Sequence, residues 1–263
     1  MLTQTAGADR SQMKRHHRTL SYTLAVTLVL AGVYFAVLYR MIYLKWEKIE
    51  TKDNLTVAHV GKEFDLDPHA PFWNGIEPEK IRLYPQSARS PYGNEEKDIW
   101  VRAAYNGKEV AFLLEFNDKT EDLGPPVNPD ACAIMFALAE APATAQMMGY
   151  GDKANVWQWL ADRNVERYLK GNTSTNPVRE LTAHGPGTQT PMARQNVEGK
   201  GDYRDGKWSV MFKRRLDSNQ GEEFEFEPGT SLNVAFALWD GGRMESFSRK
   251  SIAILRKLSW EKP

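Results

Sequence analysis

Asn106-Gly107 stands between "IWVRAAY" and "EVAFLLEF", two runs rich in β-branched, aromatic and aliphatic residues. Asn-Gly suits a tight turn whose central residues take positive φ, so this pattern predicts an antiparallel hairpin. Comparable runs follow at 131–138 ("ACAIMFAL"), 155–159 ("NVWQW"), 208–216 ("WSVMFKRRL"), 231–239 ("SLNVAFALW") and 251–260 ("SIAILRKLSW"). In the 208–216 run Trp208, Val210 and Phe212 fall on one face, with Ser209, Met211 and Lys213 on the other. Short strands divided by Gly, Pro, Asp and Asn clusters, without a long amphipathic helical repeat, imply a mainly β fold, an antiparallel β-sandwich. Trp157, Trp159, Trp208 and Trp239 are expected in its core.

One run is of another kind. Leu20 to Tyr39 carries no charge over its length. A helix rising about 1.5 Å per residue would span a hydrocarbon core of about 30 Å with about 20 residues. A single transmembrane α-helix is therefore expected. A cleaved signal peptide is the rival reading, but the run is long for an h-region and no A-x-A site follows it. Arg10, Lys14, Arg15 and Arg18 precede the run, whereas the basic residues after it are interleaved with Glu47 and Glu50. The expected topology has a cytoplasmic N-terminus and the domain on the periplasmic or equivalent side. The expected organisation is a tail at 1–19, the helix at 20–44, a juxtamembrane segment and proline-rich irregular arm at 45–97, and the sandwich at 98–263. Within the sandwich, 161–204 reads as a polar insertion.

Composition narrows the function. Lys+Arg and Asp+Glu both number 34, which gives no net field toward nucleic acid. The single cysteine, Cys132, excludes an internal disulfide, cysteine-based zinc or iron–sulfur clusters and C-x-x-C-H attachment of haem. The patterns of P-loops, G-x-S-x-G hydrolases, H-E-x-x-H metalloenzymes and EF-hands are missing. His59, His69 and His184 lie in loop-like contexts and are expected to be exposed.

The order of "WVRAAYNGKEVAFLLEFNDKTED", "DACAIMFAL", "GYGDKANVWQW", "DGKWSVMFKRRL" and "VAFALWDGGRMESFSRKSIAILRKLSW" resembles the ethylbenzene dehydrogenase-type haem b subunit. This is the γ subunit of type II molybdoenzymes of the dimethyl sulfoxide reductase family. The resemblance runs from about Pro68 to Trp260. It implies a haem-binding sandwich of the DOMON or Ig-like kind, holding one non-covalent haem b between a methionine and a lysine. The lysine falls on Lys250 and the methionine on Met148, with Met147 as the alternative. The chain departs from the family pattern by placing Tyr150 and Gly151 between the Met-Gly and the Asp. Its added anchor is a second departure.

Two axial protein ligands would leave no vacant position on the iron, which suits electron transfer rather than catalysis. The implied role is a membrane-tethered, non-catalytic relay. Its partners would be the iron–sulfur and molybdopterin subunits of an oxidoreductase. The alternative is a haem-free assembly subunit using the sandwich to bind protein, and a carbohydrate-binding sandwich is a third reading. Taken without the resemblance, Lys250 reads as a surface lysine paired with Glu245. Lys213 is the rival lysine, on a strand whose Arg214 and Arg215 suggest a charged rim facing a propionate or a partner. Met135 reads as core or pocket wall.

Overall fold

The computed structural model describes residues 21–37, 54–86, 96–137, 154–163, 176–185, 188–217, 226–230 and 232–262. Met147 and Met148 lie outside the described residues. Two compact units divide the chain, Met1–Thr51 and Lys52–Pro263. In the first, residues 21–37 form an α-helix whose side chains, including Leu24, Leu28, Leu30 and Phe35, are exposed. Among the described residues no helix is long and apolar enough to cross a membrane.

The second unit is built of strands: β1 (Asn54–His59), β2 (Glu79–Pro85), β3 (Lys97–Tyr105), β4 (Glu109–Asn117), β5 (Ala131–Ala137), β6 (Ala154–Leu160), β7 (Val178–Ala183), β8 (Thr190–Pro191), β9 (Glu198–Arg204), β10 (Lys207–Arg215), β11 (Leu232–Trp239), β12 (Ser251–Ile252) and β13 (Arg256–Trp260). One sheet runs β8-β7-β6-β5-β11 and the other β2-β3-β4-β10-β9. They join at one side, where β12 pairs with both β11 and β2. Beside this seam β1 pairs in parallel with β3 and β13, a departure from a wholly antiparallel plan.

The expected hairpin forms at Asn106-Gly107, with Gly107 at φ 82 and the Asn106 side chain accepting from the backbone N–H groups of Lys108 and Glu109. A second tight hairpin joins β9 to β10 through Asp205 and Gly206, both at positive φ, the geometry of a two-residue primed turn.

The inner faces interdigitate. Ile134, Phe136, Trp157 and Trp159 from one sheet meet Ile99, Phe112, Leu114 and Trp208 from the other in a single buried cluster. Aromatic contacts span it, with ring centroids 5.4 Å apart for Phe112–Phe136 and 4.8 Å for Trp159–Trp208. One polar link crosses the same interior. Arg214 donates to Glu180 at 3.1 Å, and the Glu180 carboxylate also accepts from the Asn155 side chain and the Asn196 backbone. Arg214 is thus fully buried and not part of a charged rim.

The alternation read for 208–216 is present. Trp208, Val210 and Phe212 enter the core, and Met211 packs on the opposite face beneath Phe64, Ala70 and Trp73. These last residues belong to the segment expected to be an irregular arm, which contributes β1, β2 and a 3-10 turn at Pro71–Gly75. The polar interval 161–204 likewise contains β7, β8 and β9. The run 251–260 divides into β12 and β13, with a break at 253–255.

Candidate functional site: a pocket on the outer face of one sheet

Inward-facing residues of β5, β6, β7 and β11 fill the sandwich, so the alternate residues of these strands form a second face. Register places Trp239 beside Ala131 and Leu160. In the next row Ile252, Ala237, Ala133, Gln158 and Arg179 stand side by side. A third row holds Ala235, Met135, Val156 and Leu181. Alanine at four of these positions keeps the middle of the face low, and the apolar members form a buried cluster of their own. Trp239 belongs to this outer cluster and not to the sandwich core where the sequence suggested it. Met135 lies on this outer face as well.

A pocket of about 610 Å³ opens over one part of this face, bounded by Ala131, Gln158, Leu160, Arg179, Trp239 and Lys250 among others. Its size falls within the range of small-molecule and cofactor sites, about 300–1,000 Å³. Its lining mixes apolar residues such as Leu160, Leu181 and Trp239 with polar and charged ones.

Lys250 reaches the pocket by strand geometry. Leu238 opposite Ser251 sets Lys250 beside Trp239, and the Lys250 carbonyl accepts from the Gln86 N–H at 2.8 Å. Lys250 is only 3% exposed, with its Nζ 5.1 Å from the centroid of the Trp239 ring. Its hydrogen bond to the Phe247 carbonyl is long, at 3.4 Å. No carboxylate lies within ion-pairing distance of it among the described residues. Glu245, the expected surface partner, instead pairs with Lys97 at 3.4 Å, and Lys97 also holds Asp240 at 3.0 Å. Burial without a counter-ion pushes the Lys250 ammonium down to about 8.

The loop before Lys250 is held from several sides. Asp240 caps the short turn at Gly241–Arg243, and its backbone N–H donates to Glu245 at 2.9 Å. The Trp239 indole donates to the Phe247 carbonyl at 3.1 Å. Phe247 itself is at φ 52 and 91% exposed, so an aromatic ring projects into solvent three residues from the buried amine. Adjacent to this loop, the carboxylate oxygens of Asp118, Asp122, Asp130 and Asp240 lie within 4.8 Å of one another. Asp130 accepts from the Gly241 N–H, the Asp122 N–H and the Trp208 indole, which ties the turn after β11 to the sandwich. Burial, with Asp130 and Asp240 nearby, raises Asp118 to about 7, and burial raises Asp130 to about 6.

The structure thus brings Lys250, Trp239 and Arg179 to one pocket. Lys213 is elsewhere, bonded to the Phe64 carbonyl at 3.2 Å and near Glu109 and Glu198. His59, His69 and His184 are exposed as expected, and His69 pairs with Asp202 at 2.8 Å. Arg179 and Gln158 were not singled out from sequence. Their signal would have been a charged and an amide residue at facing positions of two otherwise apolar strands, visible only once the pairing is known.

Comparison with known proteins places the chain in a family. The family model described as ethylbenzene dehydrogenase matches residues 70–190 and 170–251. The chain belongs to the ethylbenzene dehydrogenase family. Both ends of the match matter here, because the second stretch includes β11 and Lys250. Among similar proteins, one named as a respiratory nitrate reductase heme subunit from Haloferax mediterranei is 28% identical over 192 residues, covering 71% of this chain and 65% of that protein. The dimethylsulfide dehydrogenase subunit gamma of Rhodovulum sulfidophilum is 28% identical over 60% of this chain and 58% of its own length. The chlorate reductase subunit gamma of Ideonella dechloratans is 27% identical over 59% and 57%. The matched regions span less than two thirds of each of these ethylbenzene dehydrogenase-family relatives.

Proposed function

We propose that the chain is a non-catalytic b-type cytochrome subunit. It would relay single electrons between the iron–sulfur subunit of a molybdopterin-containing oxidoreductase and another carrier, and the helix beginning near Leu20 would tether it to a membrane. The observation that carries this reading is the buried amine of Lys250, which has no ion-pair partner among the described residues and lies against Trp239 at the edge of a pocket. Relatives named as heme and gamma subunits support it.

The residues present fit such a group. Iron binds only the neutral amine of a lysine. At pH 7, deprotonating a lysine with an unperturbed pKa costs roughly 5 kcal/mol, and a value of about 8 reduces this to roughly 1 kcal/mol. Ala131, Leu160 and Leu181 give the pocket an apolar side against which a flat ring could lie, and Trp239 supplies an aromatic wall. In this reading Lys250, together with Met148 or Met147, would hold the iron of a single haem b. The bound haem would supply a reversible one-electron couple. The protein would fix its orientation, exclude water and tune its potential.

A visible spectrum before and after dithionite tests the proposal. Purified protein should give a reduced b-type signal that is lost in Lys250→Ala and kept in Lys213→Ala. Folded protein that takes up no haem would leave the assembly-module reading in its place.

A further inference from the structure

Among the described residues lining the pocket, Arg179 is the cation contributed by β7, and its surroundings are incomplete. Its terminal NH2 donates to the Gln158 Oε1 at 2.7 Å, which leans the guanidinium from β7 toward β6. Its Nε is buried and has no hydrogen-bond partner. No carboxylate lies within ion-pairing distance of it among the described residues. Burial is the main reason the Arg179 guanidinium is held below the usual arginine value, with the positive charge of Arg163 adding to it and Asp162 opposing more weakly. A buried donor left unpaired is costly, so a ligand that completes it gains more than a surface contact would.

Its position matters as much as its charge. Lys250, beside β11, and Arg179, on β7, stand at opposite ends of the same floor, four strand spacings or about 19 Å apart along the sheet. Each side chain leans inward, the amine over Trp239 and the guanidinium onto Gln158. An occupant reaching from one to the other needs a broad apolar body, a donor-accepting centre near Lys250 and an anionic edge near Arg179. A guanidinium fork suits a carboxylate, since it can donate two parallel bonds.

We propose that Arg179, steadied by Gln158, is the anion subsite of the pocket and pairs with a propionate carboxylate of the haem. This rests on the cytochrome reading above, and it fixes which edge of the ring faces β7. Removing the fork should therefore cost affinity only for a porphyrin that carries free carboxylates.

The test titrates ligand-free protein with haem b and with its dimethyl ester, read by quenching of tryptophan fluorescence, since Trp239 lines the pocket. Wild-type protein should prefer the diacid. Arg179→Gln should weaken diacid binding about 10- to 100-fold and leave the ester unchanged. Arg179→Lys, which keeps the charge without the fork, should recover part of the preference. Lys250→Ala should weaken both ligands alike. Equal losses for diacid and ester in Arg179→Gln, or no loss in either, would overturn the subsite while leaving the cytochrome reading intact. A wild-type protein that binds neither porphyrin would sink both.

Discussion

At the scale of single residues, Lys250 is the residue on which the proposed reading rests, and its burial comes at a cost to the fold. An amine with its pKa lowered from 10.5 to about 8 binds fewer protons when folded than when unfolded. Between about pH 8 and 10.5 its contribution to stability therefore rises with pH, and below about pH 8 the full penalty is present. The ligand-free protein should thus be stabilised by Lys250→Met by up to roughly 3 kcal/mol at pH 7, at about 1.36 kcal/mol per unit. The gain should shrink as the pH approaches 10.5. Urea midpoints of the two proteins at pH 7 and pH 10 check this, and a constant difference would show that the amine is not the source. Lysine identity at 250 was open to sequence reading only through the family resemblance. The residues around it offered Glu245 as an ordinary partner, and nothing in their order revealed that Lys97, more than a hundred residues earlier, occupies that carboxylate.

At the scale of elements, the apolar strands were legible and the polar ones were not. β3, β4, β5, β6, β10 and β11 are marked by alternation or by continuous apolar runs that two buried faces require. β7 and β9 lack that mark. β9 reads "EGKGDYR", yet its two glycines are what let it lie against the sandwich. A Cβ at Gly201 would stand 2.7 Å from Cε2 of the Trp159 indole, and one at Gly199 would run into the Val178 side chain. Gly201→Ala should accordingly destabilise the protein by about 1–3 kcal/mol through overpacking. Pairing it with Trp159→Phe should restore part of the loss, as a denaturant series on the four proteins would show. β7 was obscured for a related reason. Glu180 at its centre is buried but answered by Arg214 and Asn155, partners supplied by other strands. Polarity suggested a solvated insertion because sequence does not display such pairings.

At the scale of the whole molecule, the chain joins a helical unit with exposed apolar side chains to a two-sheet unit with a closed core. If the first serves as an anchor, protein expressed in a bacterial host should stay with the membrane fraction through alkaline carbonate washing. Deleting residues 1–44 should release it to the supernatant without altering the spectrum of the bound group. Retention of the shortened protein would assign attachment to the second unit or to a partner. The broad architecture was visible in the strand runs, whereas the pocket depends on which face each tryptophan takes. Trp239 illustrates the limit, because strand alternation fixes which residues share a face without saying which face points outward.

The seam between the sheets has a consequence for the order of events as the protein matures. Lys250 is positioned by β12, which bridges β11 to β2, so residues about 170 positions apart must meet before the amine stands in its pocket. Long-range pairings of this kind are slow to form. On the proposed reading, haem capture would follow closure of this seam, and a chain still open there would carry no colour.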